Sequence, residues 1–142
     1  MSKIKDFNTF ITESRSNDIF DVILNNAPSK LKEIVESTRL IEQNPTWHPE
    51  GNVYNHTKLV TNRLHKKYNN VNLTLSGFLH DLGKVNTTKF DEEKESWTAH
   101  GHEDSSSTIV DNFSNWIEDM GGKPKIIKYI VENHMRIKFL DD

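Results

Sequence analysis

The sequence predicts a single all-α domain, a bundle of about six helices. Three observations carry this reading. Apolar residues recur at helical spacing along most of the chain, strand-like alternation is scarce, and no internal repeat or low-complexity tract interrupts the pattern. With 142 residues the chain can bury one real core and has little room for a second. Residues 1–17 read as a polar leader and residues 18–142 as the domain.

The stretch from Asp18 to Asn26 carries Ile19, Phe20, Val22, Ile23 and Leu24, and the stretch from Ser29 to Gln43 carries Leu31, Ile34, Val35, Leu40 and Ile41. Both read as amphipathic helices. Two prolines and a glycine in Pro45-Thr46-Trp47-His48-Pro49-Glu50-Gly51 break the pattern before Asn52, which offers a cap for a helix from about Val53 to Tyr68. A further helix spans about Leu73 to Leu82, with Gly83 placed as a left-handed stop. The charged stretch from Val85 to Ala99 loses periodicity and is expected as a loop or short ribbon. Its Phe90 and Trp97 either stack on a base or anchor the loop. A helix from about Gly101 to Met120 is ended by Gly121-Gly122, and a last one starts near Pro124 and carries Ile126, Ile127, Ile130 and Val131 toward His134.

Composition narrows the chemistry. Eighteen Lys and Arg against 21 Asp and Glu give a formal charge of -3, so no bulk basic field favours gripping extended DNA by its phosphates, whereas small or terminal phosphates fit. The absence of cysteine removes disulfides, thiolate nucleophiles and sulfur-bound zinc, and leaves histidine and carboxylate as metal ligands. No apolar run approaches the length of a membrane span, and the N-terminus lacks the pattern of a secretory signal. A cytoplasmic location is expected, with no membrane partner, and the pattern sets no oligomeric state.

The seven histidines are the informative residues. At about 100° per residue, His56 falls in a sector with Val53, Leu59 and Val60, and His80 stands over Leu73, Ser76 and Gly77, where the absent glycine side chain lets another helix approach. His102 aligns with Ser106, Ile109, Phe113 and Trp116, and His134 with Ile127 and Ile130. Four helices thus aim one imidazole each inward. An inward histidine is ordinarily a hydrogen-bonded core residue, but each one buried without a partner costs about 1–3 kcal/mol, so four together call for a shared compensating partner such as a metal. His65 falls on the opposite face of its helix and reads as solvent-facing; His48 and His100 lie in loops.

At this point the residues resemble the HD-domain metal-dependent phosphohydrolases, whose ligand pattern is one histidine, a His-Asp doublet and a distal aspartate. His56 in Asn55-His56-Thr57 matches the first element, and His80-Asp81 within Phe78-Leu79-His80-Asp81-Leu82-Gly83-Lys84 matches the second. His48-Pro49-Glu50-Gly51 and His100-Gly101-His102-Glu103 look like segments of the HD domain appended to bacterial tRNA nucleotidyltransferases. The likeness spans roughly Pro45 to Lys138 and does not extend to a nucleotidyltransferase catalytic domain, so CCA addition is not implied. The resemblance implies that residues matching His102 and His134 bind a second ion, with Asp81 bridging. The chain departs from the pattern in its last aspartate: the late carboxylates are Asp141 and Asp142, and a terminal aspartate, water or a longer natural chain completes the site.

A divalent ion held by His56, His80 and Asp81 lowers the pKa of a coordinated water, and phosphate ester cleavage is the natural use. One or two ions are expected, with Mg, Mn, Fe, Ni, Co and Zn all compatible with such ligands. Asp81 sits where a helix ends, and the negative end of its dipole favours cations. Lys84 binds substrate phosphate or protonates the leaving oxygen, or else it is a solvated lysine at a helix end. Glu103 orients a ligand or favours its helix start, and His48 and Glu50 line the pocket. The expected substrate is a nucleotide or RNA-terminal phosphate. The tRNA-enzyme resemblance alone favours 2′,3′-cyclic phosphodiesters and 2′-phosphates.

Two other readings keep the fold. Some HD-fold proteins are diiron oxygenases, and a degenerate HD domain that lost its distal aspartate survives as a nucleotide-binding module. Separately, the first thirteen residues resemble the targeting propeptide of proteins packaged in tailed-phage heads, in which Ile11-Thr12-Glu13 marks the cleavage point. This would place the chain in host cytoplasm or virion interior. An amphipathic leader packing Phe7, Phe10 and Ile11 on the domain is the preferred reading of the same residues.

Overall fold

The computed structural model describes residues 18–42, 51–92, 96–99 and 102–133. The leader, the Pro45–Glu50 break with His48, and also His100, His134, Asp141 and Asp142 lie outside the described residues. So do the side chains of Phe90, Trp97, His102 and Glu103.

The domain is all-α, with one small antiparallel ribbon. Helix α1 (Ile19–Asn26) starts on Asp18, whose carboxylate accepts the Asp21 amide at 3.1 Å. It buries Ile19, Phe20, Val22, Ile23 and Leu24. Helix α2 (Ser29–Ser37) buries Leu31 and Val35 and stops well short of Gln43. The Ser37 hydroxyl donates to the Ile34 carbonyl at 2.6 Å and the Thr38 hydroxyl donates to the Val35 carbonyl, so the chain tightens into a 3-10 turn over Thr38–Leu40. Ile41 is then extended, and its carbonyl accepts the Val53 amide at 2.9 Å.

Helix α3 (Val53–Tyr68) has the expected Asn52 cap, accepting from the Asn55 amide at 2.8 Å, and ends at Asn69, whose φ of 46° is left-handed. Helix α4 (Val71–Leu79) begins on a second asparagine cap, Asn70, two residues earlier than the hydrophobic pattern suggested, and it ends three residues earlier. Gly83 is not left-handed; among the described glycines only Gly51 and Gly121 are. His80–Gly83 instead form a turn leading into the short helix α5 (Lys84–Thr87).

The charged stretch forms a ribbon, β1 (Thr88–Asp91) against β2 (Ser96–Ala99), in the register Thr88 opposite Ala99. The expected single helix from Gly101 to Met120 is two, α6 (His102–Asn112) and α7 (Ser114–Asp119). The break falls at Phe113, φ -116° and ψ 24°, within Asn112-Phe113-Ser114-Asn115, a run of weak helix formers. Gly121 (φ 91°) closes α7 as expected, its amide donating to the Glu118 carbonyl while the Gly122 amide donates to the Ile117 carbonyl, each at 2.9 Å. Helix α8 (Pro124–Glu132) opens on Pro124 and buries Ile127 and Val131, whereas Ile126 turns outward and is 43% exposed.

Phe20, Ile23, Leu75, Phe78, Leu79, Ile117, Met120 and Ile127 are fully enclosed at the centre of the bundle. Helix α4 runs through that centre with buried faces all along its second half, so its last residues are delivered into the interior. There they meet α3.

Candidate metal centre

The approach of α3 to α4 is set by Gly77. A Cβ on Gly77 would lie 2.8 Å from Leu64 Cδ1 and 3.4 Å from the Thr61 Cα, so even a methyl there requires the Leu64 side chain to shift and would touch the α3 backbone. With the helices this close, His56 in the first turn of α3 faces His80 and Asp81 just past the end of α4. Their imidazole centroids lie 5.6 Å apart. All three residues are buried, at 2%, 0% and 1% exposure.

The polar atoms converge on one oxygen. His56 Nε2 lies 3.3 Å from Asp81 Oδ2, His80 Nε2 lies 3.2 Å from it, and Lys84 Nζ lies 3.2 Å from it. His80 Nδ1 stands 2.7 Å from the Gly77 carbonyl, which can only accept, so Nδ1 carries the proton. In the neutral imidazole, Nε2 is then a lone pair facing a carboxylate oxygen at 3.2 Å. Two acceptors at that distance are stable only with a positive charge between or beside them. A divalent cation fits this requirement, since a carbonyl fixing the far ring nitrogen is the usual outer support of a metal-bound histidine. One ligand atom from each of His56, His80 and Asp81 can be chosen so that all lie within 4.8 Å of one another, a group able to hold a metal ion.

The turn carrying Asp81 is braced from two sides. The His80 amide donates to the Ser76 carbonyl at 2.8 Å, continuing the α4 ladder, and the Gly83 amide donates to the buried Ser106 hydroxyl of α6 at 2.7 Å. This brace was not read from the sequence, although Ser106 falls on the face that the helical period assigned inward. Lys84 is also not the solvated lysine of one sequence reading: it is buried, with its ammonium on Asp81.

Residues 53–140 match the family model described as HD domain. The chain belongs to the HD-domain family. This places it in a superfamily of metal-dependent phosphohydrolases, and its doublet His80-Asp81 occupies the centre of the geometry above. No curated protein and no solved structure matches the chain.

Within this HD domain His102 occupies the first position of α6, the helix that also supplies Ser106. The His102 and Glu103 side chains and all of His48 and His134 lie outside the described residues, so the structure gathers His56, His80, Asp81 and Lys84. His65 corrects its sequence reading. It is half-buried, beside Asp18, Ile19, Asn62, Lys66 and Asn69, and burial lowers its pKa below the ordinary 6.5. No helix among the described residues is long and apolar enough to cross a membrane.

Proposed function

We propose that this HD domain is a metal-dependent phosphohydrolase that cleaves a phosphomonoester or phosphodiester of a nucleotide or RNA terminus. The observation that carries the reading is the convergence of His56, His80 and Lys84 on Asp81 Oδ2 inside a buried site. When bound there, a divalent ion supplies an acidified water and charge stabilisation for a phosphoryl group. The chain's own residues do the rest. The Gly77 carbonyl fixes the His80 tautomer, Asp81 supplies the anionic ligand, and the burial of His56, His80 and Asp81, none more than 2% exposed, keeps bulk water from the centre.

Lys84 brings a cation to the same place and would hold a substrate phosphate oxygen or a departing oxygen. We assign His102 and His134 to a second ion, and His48 and Glu103 to the substrate side, on their match to the family's motifs. The preference for 2′,3′-cyclic and 2′-phosphate ends rests on the likeness of His48-Pro49-Glu50-Gly51 and His100-Gly101-His102-Glu103 to the HD domain of tRNA nucleotidyltransferases.

The test is a panel of cyclic and linear nucleotides and RNA ends with Mg²⁺, Mn²⁺, Ni²⁺ or Co²⁺, comparing wild type with Asp81→Ala. Metal-dependent release of a phosphate monoester or inorganic phosphate by wild type alone is expected. Absence of turnover across the panel would sink the reading, and oxygen consumption by iron-loaded protein would replace it with oxygenase chemistry.

A further inference from the structure

We propose that Lys84 is a resident competitor for the metal, holding Asp81 in the metal-free chain and leaving Oδ2 when a divalent ion binds. The inference rests on the metal reading above and deepens it. Three groups approach one carboxylate oxygen, His56 Nε2 at 3.3 Å, His80 Nε2 at 3.2 Å and Lys84 Nζ at 3.2 Å. A carboxylate oxygen offers only about two lone-pair directions, so an ion and an ammonium compete for the same electrons.

Charge makes the competition sharper. Asp81 is 1% exposed, so in the absence of metal its charge needs a partner within the protein. His80 Nδ1 is committed to the Gly77 carbonyl, so that bond leaves no Nδ1 proton for the carboxylate. The Lys84 ammonium supplies the positive charge. Once a dication binds to Oδ2, the same ammonium becomes a like charge at close range in a poorly screened interior.

Lys84 is also built to move. Its side chain retains 11% exposure where that of Asp81 has 1%, so the lysine keeps an edge toward solvent and the carboxylate has almost none. The residue opens α5, and four rotatable bonds let the ammonium swing without disturbing that helix. A phosphate entering the site offers the displaced ammonium a new partner. Metal loading and substrate capture are thereby linked through one side chain.

The experiment is calorimetric titration of Co²⁺ into chelator-stripped, tag-free wild type, Lys84→Met, Lys84→Gln and Lys84→Arg, with thermal melting of each protein with and without the ion. Lys84→Met and Lys84→Gln remove the competitor, so both should bind Co²⁺ about tenfold more tightly or better. Both should melt earlier than wild type without metal, and Lys84→Arg should keep near wild-type affinity. A lysine that only held the Asp81 turn in shape would give weaker binding when replaced. Wild-type or weaker affinity in both neutral variants would overturn the inference while leaving the metal centre standing. If wild type itself took up no Co²⁺, the metal reading would fall and the inference with it.

Discussion

The amide of Gly83 donates to the hydroxyl of Ser106 across 2.7 Å, joining the turn that holds Asp81 to a helix 23 residues further along the chain. Both ends of this bond are buried, so its loss strands an amide that water cannot reach. Ser106→Ala should therefore lower the unfolding free energy by about 1–3 kcal/mol in urea titrations. It should also weaken metal binding, because the turn loses its brace to α6. Unchanged metal affinity in a destabilised variant would show that this bond does not position Asp81.

Gly77 presents a balance of two effects. Alanine is favoured over glycine inside a helix by about 0.8–1 kcal/mol, whereas overpacking a filled interface costs about 1–3 kcal/mol. The Cβ would sit 2.8 Å from Leu64 Cδ1 and 3.3 Å from Val60 Cγ1, both in buried residues, so overpacking wins. Gly77→Ala should lose about 1 kcal/mol net and Gly77→Val clearly more, read as shifts in the urea midpoint. A more stable Gly77→Ala would mean that α3 and α4 have slack at this crossing.

His65 gives a pH signature away from the metal centre. Burial lowers its pKa below 6.5, so the unfolded chain binds the proton more readily than the folded one. The sign follows directly. Between 6.5 and the lower folded pKa the unfolded state carries more protons, and stability falls as pH falls through that window. His65→Gln should flatten the slope of stability against pH below 6.5 in chelator-free melts, leaving the slope above it unchanged. An identical slope in both proteins would remove His65 as the source.

How far the sequence carried the reading depends on whether a local signal had a competitor. Asn52, Gly121-Gly122 and Pro124 each act through their own backbone chemistry, and each helix boundary stands where they placed it. Phe113 was illegible because Ile109, Phe113 and Trp116 keep a helical period across the break, and period reports facing, not continuity. The early end of α2 was hidden because Ser37 and Thr38 can face water or bond back to the preceding turn, and only packing decides. Gly83 was misread for a similar reason: a glycine after a helix signals a left-handed stop, and here its amide serves the Ser106 hydroxyl instead. His56, His80 and Asp81 were legible as a group since the helical period turned both histidines inward and the aspartate adjoins one of them. The burial of Lys84 was not, because a lysine three residues after an aspartate is ordinarily a surface pair.

The most direct measurement is the metal content of tag-free protein purified without chelator, by elemental analysis, for wild type and Asp81→Asn. At least one divalent first-row ion or magnesium per wild-type chain, lost or sharply reduced in Asp81→Asn, is the expected result. Wild-type protein carrying no stoichiometric divalent metal, and taking none up on reconstitution, would contradict the assignment of His56, His80 and Asp81 as a metal centre.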